Sequence, residues 1–195
     1  MKEIVFTIAC YLIGSVPFSY LFSRYLGGVD IRSRGTGNVG ATNVLRTLGM
    51  KIALLSLLGD VLKGVLAAWL GLAFGGEGLA ALCTVAVVTG HCWPLFLDFR
   101  GGKGVATSAG ALMVLMPLIT LILLVTFVTI IAVSRYVSLG SVCAAVLLPL
   151  LALVMQEPWQ YLLMSVLLAG MVLFRHRTNI ERLRQGCESK LGQKS

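Results

Sequence analysis

VATSAGALMVLMPLITLILLVTFVTIIAV, residues 105–133, is the run on which the reading of this chain turns. It carries no charged residue and a single proline, Pro117, near its middle. As one α-helix rising 1.5 Å per residue it would reach about 43 Å, well beyond the roughly 30 Å of a bilayer's hydrocarbon core. Two shorter helices meeting around Pro117, whose ring interrupts helical hydrogen bonding, fit the length better.

The rest of the chain supports a membrane reading. Of 195 residues, 57% are hydrophobic and only 12% charged, and the mean hydropathy is +0.91, far outside the soluble range. Apolar runs at 4–26, 52–74, 79–97, 137–155 and 159–174 flank residues 105–133. The first run is too long for a signal-peptide core and lacks a small-residue cleavage site, so it is read as a retained span. Charge placement then decides the count. If 105–133 is two spans, every basic residue except Lys2 and Lys63 falls on one face, as the positive-inside rule asks. If it is one span, the tail with Arg175, Arg177, Arg182 and Arg184 lands on the other. The expectation is therefore a single all-α integral membrane domain, 1–195, of seven transmembrane helices, N-terminus outside and C-terminus cytoplasmic. Trp159 and Tyr161 are expected in the outer aromatic belt.

The net charge of +8 sits in short connections beside apolar spans, which points to membrane lipid rather than nucleic acid. The five cysteines are odd in number and without CxxC spacing, so neither a disulfide framework nor a metal site is expected. The outer connections are only a few residues long, which puts the chemistry on the cytoplasmic face.

Three segments converge there. In the first, GTGNVGATNVLR (35–46), the residues Gly35, Gly37, Asn38, Gly40 and Asn43 read as a cradle whose backbone N–H groups meet a phosphate. Gly35, Gly37 and Gly40 also satisfy GxGxxG, with Asp60 where a ribose-binding acid would be sought. That fingerprint needs a strand before it and a βαβ unit around it, and here the flanks are membrane spans. In the second, GHCWPLFLDFRGGKGVAT (90–107), Gly101, Gly102, Lys103 and Gly104 feed a helix start, which again suits a phosphate. The nucleotide-hydrolase loop is excluded, because Gly104 replaces the magnesium-binding Ser or Thr. His91 is read as a structural residue stacked on Trp93, and Phe96 stands where an HxxxxD acyltransferase would carry its aspartate. In the third, RHRTNIERLRQGCES (175–189), His176 and Asn179 share a helix face at i, i+3, Glu181 belongs to an exposed charged helix, and the arginines are read as headgroup contacts. Asp60 and Lys63, i, i+3 within the second span, are read as a salt bridge that pins helices.

Taken together, in order and spacing, these three segments resemble the motifs of the bacterial acyl-phosphate-dependent glycerol-3-phosphate acyltransferases, the PlsY type, over essentially the whole chain. The resemblance implies transfer of a fatty acyl group from acyl phosphate to the 1-hydroxyl of glycerol 3-phosphate, giving lysophosphatidic acid and phosphate at the bacterial inner membrane; a monomer without cofactor is expected. It implies functional roles for Arg46, His176 and Asn179 and a structural role for Glu188, and Lys103, read from its glycine loop, is expected to join Arg46 in supplying catalytic charge to the phosphates. Thr36 stands where the family has a serine, which keeps the hydroxyl but stiffens the side chain against a nucleophilic role. Two rivals are a transporter of a phosphorylated metabolite, which predicts polar groups on both faces, and an acyltransferase using acyl-CoA or acyl carrier protein.

Overall fold

The computed structural model describes residues 1–193 and is helical throughout. Helices α1 (Lys2–Ser15) and α2 (Phe18–Tyr25) are separated by Pro17, and a loop with one 3-10 turn leads to the short α3 (Ala41–Leu48). Then follow α4 (Met50–Cys92), α5 (Val105–Leu115), α6 (Pro117–Ser134), α7 (Val137–Val154), α8 (Trp159–Arg175) and α9 (Arg177–Arg184).

The run at 105–133 is broken, as its length requires. Met116 leaves helical geometry at φ −138°, ψ 66°, and Pro117 opens α6 at its first position, where its missing N–H costs nothing. Helix α4 is a hairpin. Gly76, at φ 66°, ψ −160°, reverses the chain with a conformation open to glycine, so that Asp60 on the first arm reaches His91 on the second.

Among the described residues, four helical stretches are long and apolar enough to cross a membrane: Lys2–Tyr25, Met50–Leu97, Pro117–Ser134 and Val137–Val154. Val105–Leu115 and Trp159–Arg175 are shorter apolar helices. Leu54, Leu58, Leu62, Leu121, Leu124, Val128 and Leu153 are all exposed, so these helices are apolar outside as well as in, which only a lipid environment tolerates over such an area.

With lipid outside, burial of apolar surface gives little drive for helix association, and close backbone packing takes over. Two reciprocal glycine pairs provide it. A Cβ on Gly64 would stand 2.1 Å from the Thr107 carbonyl oxygen, and one on Gly110 2.1 Å from that of Val61, which locks α4 to α5. Gly14 and Gly90 seat α1 on the second arm of α4 in the same way. Tyr161 is buried in the core beneath α8 and so does not join the exposed Trp159 in a belt.

Candidate active site

The loops at 26–49 and 93–104, the α8–α9 corner and the tail beyond α9 gather at one end of the bundle. The first is held together by one side chain. Asn43, buried, donates through Nδ2 to the carbonyls of Ile31, Arg34 and Asn38 at 3.3, 3.0 and 3.1 Å and accepts the Thr36 N–H on Oδ1 at 3.0 Å. It is the keystone of the loop, with its amide spent on the backbone.

The glycines have a different role from the one their pattern suggested. Gly37 N–H is bonded to Arg34, Gly40 N–H to Asn38, Gly101 N–H to Cys92 and Gly102 N–H to His91, so these four groups are consumed inside the protein. A Cβ at Gly101 would strike the His91 carbonyl, and one at Gly102 would meet the His91 ring at 2.2 Å. Glycine is needed here so that the loop can lie flat on the end of α4. Arg175 clamps that loop from the other side, donating to the carbonyls of Gly102 at 2.9 Å and Gly101 at 2.6 Å. The donors left over belong to the first turns of α3 and α5, where backbone N–H groups have no partner within the helix.

Lys103 follows the clamped glycines. Its Nζ donates to Asn179 Oδ1, whose Nδ2 donates to Glu188 Oε1 at 2.6 Å. Glu188 also accepts from Ser138 at 2.8 Å and from Arg182 Nε at 2.7 Å. Burial lowers the Lys103 pKa to about 8. Burial by itself would raise the Glu188 carboxyl, but the bonds from Arg182, Asn179 and Ser138 outweigh it and hold the group below its usual range. His176 is not on a continuous helix with Asn179: it is the corner between α8 and α9, φ −96°, ψ 4°. Its Nδ1 lies 2.8 Å from the Val172 carbonyl and must donate there, leaving Nε2 as an acceptor. Burial, helped by the nearby charge of Lys103, lowers its pKa to about 4, so the ring is neutral at ordinary pH.

Asp60 and Lys63 form the expected ion pair, 3.0 Å apart and buried. Lys63 also donates to the carbonyls of Gly14 and Val16 at the α1–α2 break. His91 joins this cluster, its Nδ1 3.3 Å from Asp60 Oδ1 and 3.2 Å from the Thr107 hydroxyl. The expected stacking on Trp93 is replaced: Trp93 faces Phe174 and lies under Arg175. Of the arginines read as headgroup contacts, Arg175 and Arg182 are instead tied into the site.

A cavity of about 650 Å³ runs from this end into the bundle. Thr36, Asn38, Gly40, Asn43, Arg46, Asp60, Lys103, Gly104, His176, Asn179 and Glu188 line its polar end, and Leu112, Met113, Leu121, Leu124, Phe127 and Leu148 line the apolar lane beyond. Gly35 and Gly37 lie behind the loop, the first against Asn43 Oδ1 and the second near the Arg32 carbonyl. Gly101, Gly102 and Lys63 border a separate small hollow. Ser138 and Ser108 line the cavity without having been singled out: a serine opening an apolar helix carries no pattern of its own.

The two carboxylates at the polar end, Asp60 and Glu188, are already balanced by Lys63 and Arg182, so Arg46 and Lys103 make this end cationic and suited to phosphate. Joined to an apolar lane between helices, it defines a membrane enzyme for substrates that combine phosphate with a fatty chain. A model of the family described as glycerol-3-phosphate acyltransferase matches residues 4–186. The chain is 53% identical to the glycerol-3-phosphate acyltransferase of Syntrophomonas wolfei over the full length of both. It is 48% identical to glycerol-3-phosphate acyltransferase 2 of Moorella thermoacetica, over 96% of this chain and 97% of that one. Its fold is similar to the crystal structure of PlsY (YgiH), an integral membrane glycerol 3-phosphate acyltransferase, in the glycerol 3-phosphate form, with a TM-score of 0.94 and 36% identity over 98% of this chain and 96% of that one. The lysophosphatidic acid form of the same enzyme matches with a TM-score of 0.92. The chain belongs to the glycerol-3-phosphate acyltransferase family, of the PlsY type.

Proposed function

We propose that this acyltransferase takes its acyl group from acyl phosphate and delivers it to the 1-hydroxyl of glycerol 3-phosphate, releasing lysophosphatidic acid and phosphate. The observation that carries the reading is the single cavity in which Arg46, Lys103, His176 and Asn179 meet an apolar lane. The two substrates together bring two phosphates and one fatty chain.

Acyl phosphate is a mixed anhydride with a stable anionic leaving group, so positioning and charge compensation do most of the work. Lys103 and the first turn of α5 hold the donor phosphate, with the chain running along Leu112 and Met113. Arg46 and the first turn of α3 hold the phosphate of glycerol 3-phosphate. The hydroxyl oxygen bonds to the acyl carbon while the carbonyl pair moves onto oxygen. That pair returns as the acyl–phosphate C–O bond breaks and phosphate leaves with its electrons. His176 Nε2 accepts a hydrogen bond from the hydroxyl and orients it. With a pKa of about 4 it is a weaker proton sink than a substrate phosphate, whose second pKa is about 6, so the proton passes to a phosphate oxygen. Thr36 forms no acyl-enzyme, in keeping with its exposed place and its bonds within the loop.

We further place the site on the cytoplasmic face of the bacterial inner membrane, with seven crossings and an external N-terminus. The shared end of α6, α7 and the Arg-rich α9 supports this. We also take the enzyme to be a monomer, which the mass of the purified protein in detergent would check. The test is to supply purified protein with acyl phosphate, acyl-CoA and acyl carrier protein as separate donors. Consumption of glycerol 3-phosphate with acyl phosphate alone is expected, and equal turnover with acyl-CoA would overturn the reading. The exposed Cys187 should react with an impermeant maleimide only after spheroplasts are lysed.

A further inference from the structure

Three buried serines line the cavity: Ser108, Ser138 and Ser141. Ser138 donates to Glu188 at 2.8 Å, and Ser141 to the Val137 carbonyl one turn back at 3.0 Å. Ser108 does neither. Its Oγ is buried without a hydrogen-bond partner, and in the same cavity Arg46 Nε is in the same state. A buried donor left unpaired costs about 1–3 kcal/mol, and a hydroxyl on a helix ordinarily avoids that cost by bonding the carbonyl four residues back. The Gly104 carbonyl accepts the Ser108 backbone N–H at 2.8 Å but not the hydroxyl.

Position supplies the second argument. Gly104, Ser108 and Leu112 follow one another at four-residue intervals along the cavity-lining face of α5, about 6 Å apart along the axis. Gly104 is at the phosphate end beside Lys103, and Leu112 is in the apolar lane. Ser108 is the polar atom at the joint. In acyl phosphate the atom between the phosphate and the alkyl chain is the acyl carbonyl, where negative charge grows during transfer.

Resting on the reading above, we infer that Ser108 is a catalytic residue whose hydroxyl donates to the acyl carbonyl oxygen and stabilises the oxyanion. Ser108 keeps its proton throughout and forms no bond to carbon. The first-turn N–H groups of α5 lie close by and reinforce the same charge.

The test uses the full-length enzyme and Ser108→Ala, which removes one oxygen from a helix that alanine favours. The kcat with acyl phosphate should fall about 100-fold, with the KM for glycerol 3-phosphate within about twofold of wild type, and Ser108→Cys, a weak donor, should lie between. Two inhibitors separate donation from packing. An acylmethylenephosphonate keeps the carbonyl, and an alkylphosphonate of equal chain length lacks it. Ser108→Ala should weaken the first about tenfold and leave the second unchanged. Equal weakening of both, or a variant with wild-type kcat, overturns the assignment while the donor reading stands. A wild-type enzyme inactive with acyl phosphate overturns both.

Discussion

Arg46 donates through Nη2 to the main-chain carbonyl of Ser189, 143 residues away, at 3.0 Å. The tail beyond α9 is thereby drawn across the polar end of the cavity, and one edge of the guanidinium is occupied. The Nε edge stays buried and unpaired, ready for a phosphate oxygen. Arg46→Ala should therefore lower kcat/KM for glycerol 3-phosphate about 100- to 1,000-fold. Arg46→Lys should recover only part, because a point charge cannot hold the tail and a phosphate as a planar fork does. Steady-state kinetics on the two variants decide it, and a loss under tenfold for the alanine would remove Arg46 from the site.

Lys103 sets a limit on the alkaline side. With its pKa lowered to about 8, its charge is nearly complete below pH 7 and is lost as pH rises through 8. The kcat/KM profile, which reports the free enzyme, should bend down near pH 8. A bound phosphate favours the charged form, so the same bend in kcat should lie higher. Lys103→Arg should abolish the bend in both profiles, even where the overall rate is reduced. A wild-type profile flat to pH 9.5 would contradict the assignment of charge to this side chain.

Glu188 is the node that fixes Asn179, and through it Lys103. Glu188→Gln turns part of an acceptor into a donor facing three donors, Ser138, Asn179 and Arg182, and should cost about 1–3 kcal/mol of stability. Since the folded carboxyl is held below its usual value, its contribution is complete above about pH 4.3 and fades as pH falls through the folded pKa. Thermal unfolding in detergent should show wild type losing stability below about pH 4.3, with a smaller loss in the variant. Parallel curves would mean that Glu188 carries no such linkage.

How far these features could be read from the residues depends on whether they are local. The break in 105–133 follows from helix length and Pro117 alone, and the helical hairpin from the glycines at 75–78. The glycine loop was visible as a loop, yet its reason was not. Gly101 and Gly102 are glycine because the carbonyl and ring of His91, ten residues earlier in the chain, press against them, and their N–H groups are already spent. The partners of Arg175, His91 and Glu188 lie on a loop, on the other arm of the α4 hairpin and on α7, and spacing along the chain cannot show which segments will touch. In the sequence Asn43 stands as a candidate phosphate contact, and in the structure its amide is bonded to the loop's own backbone. A polar side chain in a glycine loop can serve a ligand or the loop itself, and only the closed loop tells which.

The packing of α4 on α5 is the last point to test, because α5 carries Lys103 at its threshold and both Gly104 and Ser108 within reach of the substrate. A Cβ at Gly64 or Gly110 would stand 2.1 Å from a backbone oxygen of the facing helix. The helices must then part by about 1 Å, since backbone cannot swing aside as a side chain does. Gly64→Ala and Gly110→Ala should each cost about 1–3 kcal/mol and should lower kcat further than the shift in stability explains. Gly170 on α8 is the control, because a Cβ there meets nothing within 4 Å. Gly170→Ala should stay within about 1 kcal/mol of wild type at full activity. Thermal midpoints and kcat measured on the three variants in one detergent give the comparison. If Gly64→Ala and Gly170→Ala behave alike, close backbone contact is not what holds α5 in register with the site.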